Sequence, residues 1–236
     1  MKNYALENAA FKLPFQFDPI KLKQDLDICF NYNFLQNYIS DNYNGKNYIL
    51  PLRSIDGKLN SSAALPDQQD RYKDTIVMEK CHYFRESISL FLCNKEAIRL
   101  MNLPPEAKVN THVDDFCGYE DGLFRVHIPI TTNDDVYFIL DDKRIVMEPG
   151  QVWYTNVNLP HSVANKGKTN RIHLVMDCIR NEWSDELFKA LGYNFNLEYE
   201  VQETLSTETI QLMIKELELQ NTDTAKQLII QLKEQL

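Results

Sequence analysis

Between residues 110 and 177 the chain reads Thr111-His112-Val113-Asp114, then Arg125-Val126-His127, Gly150-Gln151-Val152-Trp153, His161-Ser162-Val163 and Arg171-Ile172-His173. Short apolar runs alternate with turn residues throughout this region, which holds four of the five histidines of the chain. Many short strands at regular spacing are typical of a β-sandwich or a jelly-roll barrel. The region is therefore predicted to form the centre of a mainly β domain flanked by helices.

A metal site is indicated by His112, Asp114 and His161. In an extended strand alternate residues share a face, so the imidazole of His112 and the carboxylate of Asp114 would lie side by side. His161 can supply the third ligand, and two histidines with one carboxylate are the ligand set of non-haem Fe(II) oxygenases. A His-x-Asp pair alone also arises by chance, and a lone strand histidine is more often a core or surface residue.

Arg171 strengthens the metal hypothesis. The segment before it is a good hairpin turn with Gly167 at its centre. A turn centred there would pair His161 with His173 and Val163 with Arg171, and all four would share the metal-bearing face. A cation on a rigid strand beside a metal suits an acid that chelates the metal and extends one carboxylate outward. A register slip of one residue would turn Arg171 away.

As an ordered set, these motifs resemble the aspartyl/asparaginyl β-hydroxylase family, with the nearest likeness to its bacterial proline-hydroxylase branch. The resemblance covers about residues 95–180. Members of the family are Fe(II)- and 2-oxoglutarate-dependent oxygenases. The resemblance implies a double-stranded β-helix, the cupin-like form of the jelly roll, with the metal at its mouth.

The resemblance also implies that His112, Asp114 and His161 hold Fe(II) and are the catalytic centre. The remaining positions on the metal would take the keto acid end of 2-oxoglutarate and O2. Animal aspartyl hydroxylases of the family lack the metal carboxylate, whereas this chain has Asp114. Because related halogenases replace that carboxylate with a small residue, Asp114 favours hydroxylation.

The cosubstrate site follows from the same resemblance. Arg171 would bind the far carboxylate of 2-oxoglutarate, and His127 would help to orient the molecule. Val163, which faces Arg171 in the predicted pairing, is the third residue expected at this site.

Two arginines are predicted to bind the substrate. The motif strands place Arg125 near the metal, and Arg53 could be a second cation. A cation inside an acidic protein is better explained by a specific anionic group bound at short range than by long-range steering. We therefore expect a small molecule with a carboxylate, a free or lightly modified amino acid first and an Asp or Asn side chain in a polypeptide second. Alternatively, Arg53 is a surface residue and Arg125 pairs with an acidic neighbour such as Asp115 or Glu120.

Two other classes of protein remain open from the sequence. A cupin-type metalloenzyme that does not use 2-oxoglutarate would share the barrel and the metal ligands but would not need Arg171. A non-enzymatic metal- or sugar-binding jelly roll would tolerate the loss of Asp114.

The composition of the chain limits the kinds of partner and the cellular compartment that we expect. The net charge of −9 argues against nucleic acid or an anionic membrane. No apolar run approaches the roughly 20 residues of a spanning helix, and the first residues lack an apolar signal core. The five cysteines are scattered without a C-x-x-C pair, as expected of a reduced cytoplasmic protein.

Two domains are expected. Residues 1–203 would form the oxygenase domain, and residues 204–236 would form a helical hairpin with helices at 206–220 and 223–236. The first helix has an apolar stripe of Ile210, Met213, Ile214 and Leu217, and the second has one of Ala225, Leu228, Ile229, Leu232 and Leu236. Helices this short are not stable alone, so the stripes must be covered, by the barrel or by a second copy in a homodimer.

Overall fold

The computed structural model describes residues 6–36, 43–44, 47–61, 69–198, 207–220 and 223–233. They fall into two compact units, one within residues 4–198 and one that contains the C-terminal helices. The predicted boundary between residues 203 and 204 lies outside the described residues. No helix in these ranges is long and apolar enough to cross a membrane.

Antiparallel strands dominate the first unit. The strands among the described residues are β1 (Ala10–Gln16), β2 (Leu35–Gln36), β3 (Tyr43–Asn44), β4 (Tyr48–Ile55), β5 (Tyr72–Asp74), β6 (Lys95–Leu103), β7 (Lys108–His112), β8 (Leu123–Thr131), β9 (Val136–Leu140), β10 (Lys143–Ile145), β11 (Gln151–Thr155), β12 (His161–Asn165) and β13 (Arg171–Ile179). The larger sheet has the order β1-β11-β8-β13-β6-β4-β2, with β5 beside β4, and the smaller sheet has the order β10-β9-β12-β7-β3. The prediction of a mainly β domain is confirmed.

Helices flank the larger sheet. They are α1 (Pro19–Cys29), α2 (Ile76–Lys80), α3 (His82–Ser89) and α4 (Glu182–Ala190). The α1 helix begins after Asp18, whose side chain accepts hydrogen bonds from the N–H groups of Ile20 and Lys21, as expected of an N-cap residue. All four helices contribute buried side chains to the main apolar core.

Side chains of the neighbouring strands β8 and β13 alternate between two environments. The even-numbered ones are apolar and join the main core. The odd-numbered ones face the opposite way, and the ring of His127 contacts Phe138 of the smaller sheet. Five of these odd-numbered residues are buried and polar or charged: Arg125, His127, Arg171, His173 and Asp177. This alternation directs a set of ionisable groups into the space towards the smaller sheet.

The predicted hairpin between His161 and Arg171 is wrong. β12 pairs with β7 and β9 in the smaller sheet, whereas β13 pairs with β6 and β8 in the larger one. The side chain of Asn165 holds this crossover, because it donates to the carbonyl oxygens of Leu103 and Thr169 and accepts from the N–H of Gly167. The predicted cross-strand pairs of His161 with His173 and of Val163 with Arg171 therefore do not form.

The second unit contains α5 (Thr207–Gln220) and α6 (Asp223–Lys233), at the positions predicted for a helical hairpin. Its buried seam consists of Ile210, Ile214 and Leu232. Met213 and Leu228, which were assigned to the apolar stripes, are 41% and 42% exposed. Two packed helices bury only a narrow strip between them, which leaves Met213 and Leu228 at the edges of the predicted stripes largely uncovered. Leu236 and the side chain of Ala225 lie outside the described residues.

Candidate metal centre

The structure brings His112, Asp114 and His161 together. His112 ends β7 and His161 begins β12, and the two are direct cross-strand partners with ring centroids 4.2 Å apart. Asp114 lies just beyond the strand rather than in it, and its N–H donates to the carbonyl oxygen of Val157 at 2.9 Å. One ligand atom from each of the three side chains lies within 4.8 Å of the other two. The three side chains thus converge where β7 ends and β12 begins.

Backbone carbonyls set the protonation of both imidazoles. The Nδ1 atom of His112 lies 2.9 Å from the carbonyl oxygen of Asn110, and that of His161 lies 3.0 Å from the carbonyl oxygen of Leu159. Because a carbonyl oxygen only accepts, Nδ1 is the protonated nitrogen in the neutral form of each ring, and Nε2 then has a free lone pair. This outer hydrogen bond is typical of histidines that bind metals through Nε2.

The charge states at the site also suit a divalent cation. Burial lowers the pKa of His161 to about 4, which keeps its imidazole neutral at ordinary pH. Burial is the largest influence on Asp114 and works against its ionisation, but the charge and hydrogen bond of Arg125, together with contributions from His161 and His112, hold the pKa of that carboxyl below its usual range. Since neutral imidazole and ionised carboxylate are the metal-binding forms, this donor set fits a cation such as Fe(II).

Arg125 is buried between two carboxylates. Its Nη1 donates to Oδ2 of Asp114, and its Nε lies 2.7 Å from Oδ1 of Asp177. The second oxygen of Asp177 accepts from Nη1 of Arg99 at 2.7 Å. Arg125 therefore pairs with acidic residues, as the alternative to a substrate-binding role predicted. Its partners are Asp114 and Asp177 rather than Asp115 or Glu120.

Sequence reasoning assigned no role to Asp177 or Arg99. Asp177 shares the alternating face of β13 with Arg171 and His173, and that period of two is a signal that could have included it. The partnership with Arg99 depends on the pairing of β13 with β6, which no local pattern displays.

A second polar group, here called the inner row, consists of His127, His173 and Arg171. Nη2 of Arg171 lies 2.8 Å from Nδ1 of His173 and donates to it, so His173 carries its proton on Nε2. Both ring nitrogens of His127, Nε2 of His173 and Nε of Arg171 have no hydrogen-bond partner among the described residues. The inner row thus offers unused hydrogen-bonding groups in a buried place.

Arg171 is only 3% exposed, and no described carboxylate forms an ion pair with it. Burial without a counter-charge lowers its pKa to about 9. Burial, reinforced by the charge of Arg171, also puts the pKa values of His127 and His173 well below the usual histidine value. The inner row is therefore one unpaired cation beside two neutral imidazoles.

The inner row connects the metal centre to a cavity. The ring of Phe138 lies 6.4 Å from that of His161 and 5.7 Å from that of His127, whose ring in turn lies 5.9 Å from His173. A cavity of about 240 Å³ is lined by Arg171, His173 and Phe138 and by both apolar and charged side chains on and around β10. The cavity reaches the inner row at Arg171 and His173.

Two other predicted site residues lie elsewhere. Nη1 of Arg53 is 2.8 Å from Oδ1 of Asp74, and its Nε donates to the carbonyl oxygen of Lys95 at 3.1 Å. These contacts do not join Arg53 to the triad. Val163 is buried in the small apolar cluster that also contains Phe138, and it does not pair with Arg171 because their strands belong to different sheets.

The fold and the site together define a class of protein, the antiparallel double-sheet proteins that carry a two-histidine, one-carboxylate metal site. The sequence model of the family described as Aspartyl/Asparaginyl beta-hydroxylase matches residues 64–181, which is half of the chain. The chain belongs to this family, and the resemblance found in its motifs is confirmed.

Two individual proteins extend the comparison. A 79-residue segment is 30% identical to the L-proline cis-4-hydroxylase of Rhizobium meliloti (strain 1021), but it covers 34% of this chain and only 28% of that protein. The solved structure of an oxidoreductase of the 2OG-Fe(II) oxygenase family from Burkholderia pseudomallei matches with a TM-score of 0.50 at 14% identity. That match covers 73% of this chain and 86% of the other, and it confirms the jelly-roll fold.

Proposed function

We propose that the protein is an Fe(II)- and 2-oxoglutarate-dependent dioxygenase that hydroxylates an unactivated C–H bond of a small, carboxylate-bearing substrate. The observation that carries the proposal is Arg171, a buried cation to which no carboxylate of the described residues is paired, at the far end of the inner row from the triad. A buried charge normally has a partner, because removing an ion from water costs several kcal/mol. A dicarboxylic keto acid supplies the missing carboxylate.

Different residues would bind the metal and the cosubstrate. His112 and His161 would bind Fe(II) through Nε2, and Asp114 would bind it through its carboxylate. Arg171 would form an ion pair with the distal carboxylate of 2-oxoglutarate, and His127 would donate or accept a hydrogen bond along the molecule. When bound, Fe(II), 2-oxoglutarate and O2 supply the oxidising power for hydroxylation, with succinate and CO2 as by-products.

Apolar side chains border the proposed cosubstrate site and would strengthen the ion pair between Arg171 and 2-oxoglutarate. Phe138 and Val163 belong to the buried apolar cluster beside the inner row, and they keep water away from the ion pair. In a medium of low polarity the attraction between guanidinium and carboxylate is stronger than in water. A cupin-type reaction without 2-oxoglutarate would leave the unpaired charge of Arg171 without a purpose, which favours the dioxygenase.

A free or lightly modified amino acid is the proposed substrate. The name of the Rhizobium meliloti relative, an L-proline hydroxylase, supports a free amino acid over an Asp or Asn side chain in a polypeptide. Arg125 supports it less than expected, because Asp114 and Asp177 balance its charge. Two of its five N–H groups remain available for a substrate carboxylate.

The proposal is tested by the formation of succinate from 2-oxoglutarate in the presence of Fe(II), with free L-amino acids, N-acylated amino acids and Asp- or Asn-containing peptides as candidate substrates. We expect succinate to rise above the uncoupled background with at least one free or acylated amino acid, in equal amount with hydroxylated product. A response to peptides alone would select the polypeptide alternative. A protein that binds Fe(II) but neither binds nor consumes 2-oxoglutarate would contradict the proposal and favour the cupin-type enzyme.

A further inference from the structure

Four side chains of alternating charge form a row that ends in the triad. They are Arg99 on β6, Asp177 on β13, Arg125 on β8 and, after β7, the triad residue Asp114. Arg125 and Asp177 are direct cross-strand partners, and Arg99 donates to Asp177 from the strand on the other side. Arg99 and Arg125 are 7% and 8% exposed, and Asp177 is fully buried. The inference below rests on the proposed metal site and concerns how this charge chain, Arg99–Asp177–Arg125–Asp114, acts on it.

The two oxygens of Asp114 have different surroundings. Oδ2 accepts a hydrogen bond from Arg125, whereas Oδ1 lies 3.5 Å from Nε2 of His112, one of the proposed metal ligands. Arg125 is itself held at its other edge, where Nε and Nη2 donate to the two oxygens of Asp177 at 2.7 and 3.4 Å. The planar guanidinium therefore has a fixed orientation between two carboxylates.

We propose that Arg125, oriented by Asp177 and Arg99, is a positioning residue that makes Asp114 a one-oxygen metal ligand. Arg125 keeps Oδ2 occupied, and Oδ1 alone is presented to the metal. An octahedral cation bound by three protein atoms has three positions left, which is the number that a chelating keto acid and O2 require. A carboxylate that bound through both oxygens would take one of these positions.

The charge chain has equal numbers of positive and negative groups, so it can be buried without net charge. Ion pairs with Asp177 and Asp114 outweigh the effect of burial and raise the pKa of Arg125. Arg125 and Arg99 likewise overcome burial to lower the pKa of Asp177. An arginine is charged at any ordinary pH, and the hydrogen bonds to the two carboxylates fix its orientation.

Co(II) binding tests this inference without cosubstrate or turnover. Asp177→Asn keeps the shape of the side chain but removes the charge that orients Arg125. We expect Co(II) affinity to fall by roughly tenfold to a hundredfold, as when outer partners of metal ligands are changed, together with a changed visible absorption spectrum. Arg125→Lys keeps a positive charge but not the planar fork, so it should not restore the wild-type spectrum.

The matched control is Asp185→Asn, which removes a 2.7 Å ion pair to Arg180 elsewhere in the same unit. It should alter thermal unfolding of the metal-free protein and leave the Co(II) spectrum unchanged. If Asp177→Asn unfolds, the double variant Arg99→Met with Asp177→Asn keeps the charges balanced and should show the same spectral change. Unchanged affinity and spectrum in a folded Asp177 variant would overturn the inference.

A crystal structure of the wild-type protein loaded with Co(II) decides the matter independently of any variant. We expect Oδ1 of Asp114 on the metal and Oδ2 on Arg125. Both oxygens on the metal, or Arg125 turned away from Asp114, would refute the positioning role. A protein that passes these tests but does not consume 2-oxoglutarate would retain this inference and lose the proposed function.

Discussion

Arg125 and Arg171 lie on the same face of the same sheet and are almost equally buried, yet their surroundings are opposite. Arg125 is held by the carboxylates of Asp177 and Asp114, and its pKa is raised although burial alone would lower it. Within the described part of the chain, the hydrogen-bond partner of Arg171 is a neutral imidazole, and burial lowers the pKa of Arg171 to about 9. The difference separates a charge that the fold has balanced from one that a ligand must balance.

This difference predicts opposite effects on stability. Removing one partner of a buried ion pair leaves an uncompensated charge and is strongly destabilising. Removing a buried charge that has no partner eliminates a cost instead. The balanced arginine, Arg125, contacts Asp114 of the metal centre, and the largest effects are expected there.

The largest effect is expected from His161→Ala. Loss of a direct metal ligand should lower the affinity for Fe(II) or Co(II) by more than the roughly hundredfold seen when outer partners are removed. Isothermal titration of the anaerobic protein measures it. His82→Ala is the control, because His82 is exposed and begins α3, away from the triad. Full metal binding in the His161 variant would show that the triad is not the metal site.

Arg125→Met should destabilise the metal-free protein. Breaking a buried ion pair on one side costs about 3–5 kcal/mol, and the lower end is expected because Arg99 still pairs with Asp177. Urea unfolding of the wild type and the variant gives the difference. A stability within 1 kcal/mol of the wild type, by the same order-of-magnitude scale, would mean that the balanced charges are not important for folding.

Arg171→Met should have the opposite effect. The stability of the ligand-free protein should be unchanged or should rise by an amount on the order of 1 kcal/mol. The concentration of 2-oxoglutarate needed for half-maximal binding should rise by roughly tenfold to a hundredfold, because a charge-assisted pair is lost. Metal affinity should be retained. Arg85→Met, on an exposed face of α3, serves as the matched control, and an unchanged 2-oxoglutarate requirement would assign its carboxylate to another residue.

The neutral state of the two imidazoles in the inner row predicts a pH dependence of stability. Burial holds the pKa of His173 well below 6.5 in the folded protein, so below that pH the unfolded chain takes up a proton that the folded chain refuses. Each such histidine lowers the free energy of unfolding by about 1.4 kcal/mol per pH unit below 6.5. His173→Gln, which keeps an acceptor for Arg171, should reduce this slope between pH 6.5 and 5.

His82→Gln is the comparison for that slope, because His82 is exposed at the start of α3 and is not part of the inner row. Denaturant unfolding at several pH values measures the slope. If His173→Gln and His82→Gln leave the same slope as the wild type, the imidazole of His173 is not held neutral in the folded protein.

The contrast between the two arginines was only partly predictable from the sequence. His112, Asp114 and His161 could be selected because metal ligands belong to short local motifs with strong residue preferences. The placement of Arg171 on the interior face was predicted from a hairpin pairing with β12 that does not form; the observed placement follows from the alternation of side chains along β13. A strong turn signal at Gly167 does not reveal that the chain passes from one sheet to the other there.

The charge chain could not be predicted, because its members come from three neighbouring strands of the larger sheet and from the segment after β7. Whether Arg125 meets Asp177 or Glu120 depends on the register between β8 and β13, which tertiary packing determines. For the same reason the sequence could not tell a balanced buried arginine from an unbalanced one.

The smallest effect is expected from Arg53, which differs from both buried arginines. Its ion pair with Asp74 is partly exposed, with 28% and 41% of the two side chains accessible. Such pairs contribute about 0–1 kcal/mol, so Arg53→Met should change the free energy of unfolding by no more than that.

If Arg53 makes no substrate contact, the KM for the substrate identified in the succinate assay should also stay within about twofold, because a lost charged contact would change it roughly tenfold or more. Asp74→Asn is the matched variant, since it breaks the same pair and leaves the guanidinium in place. A KM raised by Arg53→Met but not by Asp74→Asn would restore Arg53 as a substrate contact and add a third kind of arginine to the comparison, one whose partner is the substrate itself.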